Sequence, residues 1–282
     1  MPELPEVEAV RRMLERATRG ARIDRVELRR PDLRRPFPPD FISRLTGHTI
    51  TSIGRRGKYL LATLSSGDTL LVHLGMSGAF RIERPRRALR IERPRPSSLP
   101  ARPADPHDHV VMALSSGVVV TFNDPRRFGL MDLIRATEDH EALSGMGPEP
   151  LDDAFDAMVL ARACAGKRVA LKVLLLDQRQ VAGVGNIYAS EALHHVALSP
   201  RRRASTIATS AGVPREAAYT LAKGIKAVLQ KAVTANAKSY ESGRFRVYER
   251  EGKPCPRRGC GGTIRRITQA GRSTYFCPVC QK

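Results

Sequence analysis

The sequence predicts an α+β protein with three parts, and three observations support that prediction. Short β-patterned segments separated by turn pairs follow a leading helix. Apolar residues at helical spacing then dominate the middle of the chain. Four of the five cysteines fall in a short Arg- and Gly-rich tail. The predicted boundaries are 1–135 for the β-rich domain, 136–150 for a linker, 151–240 for the helical domain and 241–282 for the tail.

The first helix is predicted over about residues 6–17, because Val7, Val10, Met13 and Leu14 share one face and Gly20 ends the pattern. Pro5 suits the first helical position. The strand-like segments that follow are RIDRVEL, HTITSI, KYLLATL, TLLVHLGM, HVVMAL, GVVVTF and FGLMDLI. So many short strands with turn pairs between them predict a sandwich or a barrel-like pair of sheets.

An unusual segment interrupts the strands at residues 81–106. RIERPR occurs at 81–86 and again at 90–95. A stretch so rich in Arg and Pro cannot build a core, so a mobile hairpin extension or a disordered loop is predicted. It could add affinity for phosphate or be a tolerated surface insertion.

The middle of the chain contains the helical segments DDAFDAMVLARACA, VALKVLLLDQ, NIYASEALHHV and PREAAYTLAKGIKAVLQKAV. A Gly-rich turn precedes the third of these, with Asn186 at the expected N-cap position. Free N–H groups there could receive a phosphate, or the turn could be an ordinary helix cap. Cys164, alone on its helix, is predicted to be a packed core residue.

The charge balance indicates a polyanionic partner. Lys and Arg number 48 against 28 Asp and Glu, which gives a formal charge of +20. Nucleic acid and an anionic membrane surface both fit such an excess. The sequence has no apolar run long enough to span a membrane and no secretory signal pattern. A cytoplasmic protein that binds nucleic acid is therefore predicted.

The cysteine tail has the spacing of a metal site. Cys255 and Cys260 lie in CPRRGC, Cys277 and Cys280 lie in CPVC, and a hairpin-like segment joins the pairs. Two thiolate pairs presented by turns suit one tetrahedral Zn²⁺, and four thiolates leave no open position for catalysis. Two disulfides are the alternative, which a reducing compartment disfavours. The arginines around the hairpin predict phosphate contact, with a solvated basic face as the alternative.

Two loops, LGMSG at 74–78 and NDPRRFG at 123–129, place Met76, Arg126 and Phe128 in turns. Apolar wedges beside an arginine are typical of proteins that enter the DNA base stack and fill a vacated position. Taken singly, each of the three would more often be a packing residue.

Together these segments closely resemble the formamidopyrimidine-DNA glycosylase family. The matching stretches are PELPEVE, GRRGKYLL, HLGMSG, HDHV, NDPRRFG, GPEPL, VAGVGNIYASEAL and the cysteine tail. Leu4 favours this branch over the related endonuclease VIII branch, which typically begins Pro-Glu-Gly-Pro. The resemblance implies an N-terminal β-sandwich with a leading helix, a helix-two-turn-helix domain and a C-terminal β-hairpin zinc finger.

The resemblance also implies a Schiff-base mechanism. Removal of Met1 would free the secondary amine of Pro2, the family's nucleophile for the sugar C1′. Glu3 would be the general acid that protonates the deoxyribose ring oxygen. Lys58 matches the proton donor of β-elimination and Arg272 matches that of δ-elimination, while Glu6 would support the site.

The remaining matched positions imply DNA contacts. Met76, Arg126 and Phe128 match the trio that fills the gap left by the everted nucleotide, and Arg126 would read the opposite cytosine. The other implied DNA-contacting residues are His73, His107, Arg127, Arg168 and Asn186.

The implied function is a glycosylase and AP lyase that removes oxidised or ring-opened purines from damaged double-stranded DNA, acting as a monomer. One departure concerns AVTANAKSYESGRFRVYEREGKPC, which is shorter than the family's segment and lacks its Gly-Gly pair. Excision of 8-oxoguanine is therefore left open. The alternatives are the same chemistry with an endonuclease VIII-like preference for oxidised pyrimidines, or a non-catalytic protein that binds damaged DNA.

Overall fold

The structure is a computed structural model that describes residues 1–84, 105–136, 138–235 and 245–282. The chain forms two compact units. The first unit contains residues 1–2 and 7–144, and the second contains residues 3–6 and 145–282. Within the described residues, no helix has the length and apolar character needed to cross a membrane.

The first unit is built from two four-stranded antiparallel sheets. Their orders are β1-β6-β7-β5 and β2-β3-β4-β8. The helices are α1 (Leu4–Thr18) and α2 (Phe41–Leu45), and the strands are β1 (Ile23–Leu28), β2 (Ile50–Arg56), β3 (Tyr59–Leu64), β4 (Thr69–His73), β5 (Ala79–Glu83), β6 (Asp108–Leu114), β7 (Val119–Asn123) and β8 (Leu130–Ile134).

One apolar core lies between the two sheets. Leu60 and Val72 enter it from one sheet, and Val120 and Phe122 enter it from the other. Side chains of β3 alternate between half-buried and buried, as the two-residue period of a strand requires. This arrangement is the predicted sandwich, with α1 packed on its core through residues that include Val7.

The structure corrects some of the predicted boundaries. α1 begins at Leu4, which makes Pro5 the second helical residue. β5 and α2 were not predicted, and β5 includes the first three residues of the segment 81–106. Most of that segment lies outside the described residues, as do residues 236–244 of the shortened stretch.

The second unit is mainly helical, with a two-stranded hairpin near its end. Its elements are α3 (Ala157–Cys164), α4 (Leu171–Leu176), α5 (Asn186–His195), a short 3-10 helix at Ala204–Ile207, α6 (Glu216–Thr234), β9 (Arg265–Gln269) and β10 (Arg272–Phe276). Cys164 is fully buried in the helical core, as predicted, and burial raises the pKa of its thiol to about 12.

The predicted linker is packed where it enters the second unit. Gly147 donates its N–H to the carbonyl of Gln178, and Pro148 accepts the N–H of Ala182. A Cβ added to Gly147 would lie 2.6 Å from the carbonyl carbon of Gln180. The bounds of the four predicted segments stay predictions.

Candidate active site and zinc finger

In the first unit, Lys58 and His73 lie at the same end of two paired strands. Lys58 directly precedes β3, and Tyr59 of β3 pairs with His73 of β4. Burial, with Lys58 and Arg34 nearby, lowers the pKa of His73 to about 4. The Gly75 N–H donates to His73 Nδ1 at 3.0 Å. The neutral ring therefore carries its proton on Nε2, which makes that atom a hydrogen-bond donor.

The turn before Lys58 is held from α1. Gly57 has φ +55°, and its carbonyl accepts from the Arg55 guanidinium at 2.9 Å. Arg55 also contacts the Glu8 carboxylate of α1 at 3.4 Å. Lys58 itself is buried. Its backbone position is therefore fixed by the helix as well as by the sheet.

The two wedge loops, residues 74–78 and 123–129, are joined through the buried carboxylate of Asp124. Ser77 Oγ donates to Asp124 Oδ1 at 2.5 Å, and the Gly129 N–H donates to Asp124 Oδ2 at 2.7 Å. The Arg126 N–H donates in turn to Ser77 Oγ at 3.1 Å. One carboxylate therefore fixes both loops.

Glycine is needed where the wedge loops touch. A Cβ on Gly75, which has φ +62°, would lie 2.4 Å from the carbonyl carbon of Phe128. This close approach places the 42% exposed Met76 and the 47% exposed Phe128 on neighbouring turns. The Arg126 guanidinium lies 4.8 Å from the centre of the Phe128 ring. The structure thus brings the predicted trio together.

His107 and Arg127 belong to the same surface. The Asp124 N–H donates to the carbonyl of His107, and the Arg127 N–H donates to the carbonyl of Asp124. Both side chains are exposed. Asp124 itself was missed by sequence reasoning, although an acid between strand-like residues and a Pro-Arg-Arg turn could have indicated an organising role.

In the second unit, Glu3 occupies the N-terminus of α5. Its carboxylate accepts the N–H groups of Ile187 at 2.9 Å and Tyr188 at 3.2 Å. Gly185 permits this contact, because a Cβ there would lie 2.2 Å from Glu3 Cδ. The prediction that Asn186 caps the helix is wrong, since Asn186 is the first helical residue and Gly185 is the N-cap. Glu3 therefore occupies the N–H groups at the start of α5 that the sequence suggested for a phosphate.

Glu6 and Tyr188 complete this end of α5. Glu6 accepts the Glu3 N–H at 2.8 Å, as in a capping box, and the Tyr188 hydroxyl at 2.6 Å. Burial raises the pKa of Glu6, against the opposing effect of the Tyr188 hydrogen bond. Burial and the neighbouring Glu6 raise the pKa of Tyr188. Pro2 directly precedes the fixed Glu3.

Asn186 is held by Lys172, a buried residue that sequence reasoning missed. Lys172 Nζ donates to Asn186 Oδ1 at 2.5 Å and to Thr274 Oγ1 at 2.7 Å. Asn186 Nδ2 donates to the carbonyl of Ser273 at 2.9 Å. Burial lowers the pKa of Lys172 to about 8, with Glu3 opposing and Arg272 adding to the change. The cluster ties α4 and α5 to β10.

Arg272 is the exposed first residue of β10, next to the hairpin turn. Ala270 and Gly271 both have positive φ, and Gln269 pairs with Arg272, as in a two-residue type I′ hairpin. Arg168 lies exposed on the loop between α3 and α4. No hydrogen bond or ion pair within the described residues joins Arg168 to the other predicted site residues.

The four tail cysteines converge. Their Sγ atoms all lie within 4.8 Å of one another, with Cys260 and Cys277 at 3.5 Å and Cys255 and Cys280 at 3.9 Å. Ligands about 2.3 Å from a tetrahedral zinc are about 3.8 Å apart, so this donor set fits Zn²⁺. Burial raises the pKa of Cys277, but the N–H groups of Cys280 and Val279 and the thiols of Cys260 and Cys255 together lower it to about 7. Burial raises the pKa of Cys255 and Cys280.

Three family models match the chain. They are the formamidopyrimidine-DNA glycosylase N-terminal domain at residues 1–131, the H2TH domain of the same enzymes at 146–243, and the zinc finger found in FPG and IleRS at 252–282. The chain belongs to the formamidopyrimidine-DNA glycosylase family.

A relative from Rhodopseudomonas palustris, named formamidopyrimidine-DNA glycosylase, is 54% identical over the full length of both chains. The Lactococcus lactis glycosylase, solved non-covalently bound to AP-site DNA, has a TM-score of 0.83 and 32% identity, with 99% of each chain covered. A MutM structure with carbocyclic 8-oxo-G DNA has a TM-score of 0.82 and 32% identity, with both chains fully covered.

Family membership confirms several predictions from the sequence. The fold class, the enzymatic nature of the chain and the structural zinc finger are confirmed. The roles of individual residues stay predictions, including those of the residues that the structure brings together.

Proposed function

We propose that this member of the formamidopyrimidine-DNA glycosylase family is a base-excision repair enzyme with glycosylase and AP lyase activity. It removes oxidised or ring-opened purines from double-stranded DNA in the cytoplasm. The observation that supports this most is the binding of Glu3 to the N-terminus of α5. It fixes the residue next to Pro2, where the reaction begins.

The nucleophile is the secondary amine that Pro2 gains when Met1 is removed. An ordinary α-amino group has a pKa of about 7.7–8.0, so a neutral fraction exists at cellular pH. Attack of this nitrogen on C1′ breaks the bond to the damaged base, and cleavage of the bond from C1′ to the ring oxygen then yields an iminium ion. The iminium acidifies the C2′ proton, and its loss expels the 3′ phosphate.

Glu3 donates a proton to the ring oxygen and so assists ring opening. Its carboxylate is oriented by the two α5 N–H groups, and its backbone is held by Glu6. A general acid must be placed within hydrogen-bonding distance of the atom it protonates. Lys58 and Arg272 then serve as proton donors for β- and δ-elimination.

DNA is held by separate groups of residues in the two units. In the first unit, Met76, Arg126 and Phe128 fill the position vacated by the everted nucleotide, and the neutral His73 donates through Nε2 to a phosphate. In the second unit, Asn186 and Arg168 contact the backbone. The other contacts are made by His107 and Arg127.

For the lesion, we propose ring-opened purines and 8-oxoguanine, because a relative of full coverage was solved with 8-oxo-G DNA. A panel of duplexes containing 8-oxoguanine, formamidopyrimidine or thymine glycol tests this preference. Faster excision of thymine glycol than of both purine lesions would contradict it and favour the pyrimidine alternative.

The decisive experiment is borohydride trapping on abasic-site DNA. We expect protein processed to begin at Pro2 to become covalently linked, and Pro2→Gly to reduce trapping at least tenfold. Pro106→Gly, at an exposed loop position, is the matched control and retains full trapping. Mass spectrometry identifies protein that retains Met1. If that protein is trapped as efficiently as protein that begins at Pro2, the proposed nucleophile is refuted. Binding without trapping or nicking would favour a damage-binding protein.

A further inference from the structure

His194 lies fully buried near the C-terminal end of α5, beside the zinc finger. Its Nε2 atom is 3.3 Å from the Sγ of Cys255. This distance is a normal separation for a hydrogen bond to sulfur. None of the roles derived above for the repair reaction uses this residue.

The sulfur gives the buried imidazole its hydrogen-bond partner. Within the described residues, Nδ1 of His194 has no partner, so Cys255 provides the hydrogen bond to this ring. A zinc-bound thiolate only accepts, so the ring proton belongs on Nε2. Nδ1 then keeps a lone pair, and no N–H of the ring is buried without an acceptor.

A second link joins the same turn of the finger to α5. The Arg257 guanidinium donates to the carbonyl of His194, and to the carbonyl of His195 at 3.1 Å. These carbonyls belong to the last turn of the helix, where partners within the helix are lacking and a cation is favourable. Cys255 and Arg257 are two residues apart in the finger. The C-terminal end of α5 therefore contacts the same turn of the finger through both residues.

We propose that His194 is a positioning residue of the zinc finger, which donates its Nε2–H to the Cys255 thiolate and thereby slows the loss of zinc. Four thiolates around one Zn²⁺ leave a net negative charge, which a hydrogen bond to sulfur disperses. The bond also fixes the orientation of Cys255 before the metal binds. The inference depends on the zinc finger and is independent of the proposed repair reaction.

The test measures the rate at which zinc leaves the full-length, zinc-loaded protein for the chelator 4-(2-pyridylazo)resorcinol. His194→Phe keeps a flat ring and removes the donor, and we expect zinc to leave about tenfold faster. His194→Gln, which retains an N–H, should restore part of the difference. His195→Phe, at the exposed next residue, is the control and should release zinc at the wild-type rate.

A rate for His194→Phe equal to that of the His195→Phe control would overturn the proposal. A second measurement decides the question if His194→Phe fails to fold. In wild-type protein loaded with ¹¹³Cd, the Nε2–H proton of His194 should show scalar coupling to the metal through the Cys255 sulfur. A well-resolved His194 N–H signal without that coupling would overturn the proposal, because the hydrogen bond would be absent.

Discussion

Each of the two units uses one buried charge to fix residues that are predicted to contact DNA, but the two charges have opposite signs. In the first unit, the Asp124 carboxylate accepts from Ser77 and Gly129 and fixes the wedge loops. In the second unit, the Lys172 ammonium donates to Asn186 and Thr274 and fixes α5 against the hairpin. A buried charge is tolerated only when its partners are in place, so each one specifies a single arrangement of its surroundings.

Replacing a glycine is also expected to have different consequences in the two units. At Gly75, an added Cβ would meet the backbone of Phe128, which cannot move without displacing a strand. At Gly185, it would meet the carboxylate end of Glu3, which is held by the Ile187 and Tyr188 N–H groups. Substitution at Gly75 should therefore cost mainly stability, whereas substitution at Gly185 should cost activity as well.

Gly185→Ala is the strongest test of this contrast. The new methyl group would displace the Glu3 carboxylate from the Ile187 and Tyr188 N–H groups, so a general acid would be lost. We expect the nicking rate on lesion DNA to fall about 10²-fold or more. The midpoint of thermal unfolding should fall as well, because a buried carboxylate and two N–H groups lose their hydrogen bonds. Gly54→Ala, where the nearest atom is 3.7 Å from the added Cβ, is the control. Full activity of Gly185→Ala would show that Glu3 does not need this contact.

Asp124→Asn should have the largest effect on stability. An amide can accept one of the two hydrogen bonds, but its NH₂ group would face the Ser77 hydroxyl or the Gly129 N–H. We expect a loss of about 3 kcal/mol in the free energy of unfolding, measured by urea denaturation. Asp153→Asn, at an exposed position, should change it by less than about 0.5 kcal/mol. Equal losses for both variants would contradict the role given to Asp124.

Lys172→Met should weaken DNA binding with little loss of stability, in contrast to Asp124→Asn. Burial lowers the pKa of Lys172, so its partners do not fully offset the cost of burying the charge. Replacing the charge with an apolar chain of similar length should leave stability nearly unchanged. Asn186 would lose its donor, and we expect the Kd for abasic-site DNA to rise about tenfold, equivalent to roughly one charged hydrogen bond. If Lys172→Met lost as much stability as Asp124→Asn and its Kd did not change, the proposed contrast between the two buried charges would be wrong.

The sequence predicts several members of both sites but neither buried charge. Met76, Arg126 and Phe128 stand out because such residues are unusual in turns, and the cysteine pairs stand out by spacing. Lys172 and Thr274 are 102 residues apart, and Ser77 and Asp124 are 47 apart, so no local pattern links them. The sequence leaves the glycine-rich turn before α5 open between a phosphate site and an ordinary helix cap, because nothing near it in sequence reveals that Glu3 occupies it.

A pH dependence of stability is expected from His73 in the first unit. Its folded pKa of about 4 lies below the ordinary value of 6.5, so the unfolded chain binds a proton first as pH falls. The stabilising contribution is complete above pH 6.5 and is lost progressively towards pH 4. Between pH 7 and pH 5, wild-type protein should lose about 2 kcal/mol of unfolding free energy more than His73→Gln.

Wild type and His73→Gln differ only at residue 73, so the contributions of the other titrating groups to the pH dependence cancel. These groups include His194, whose pKa burial also lowers to about 4. His48→Gln, from the same unit, is the matched control for the substitution. If His73→Gln and wild type keep parallel pH profiles, His73 is not held neutral by burial. Its proposed role as a neutral Nε2–H donor to phosphate would then fail, whereas the wedge loops, which depend on Asp124, would be unaffected.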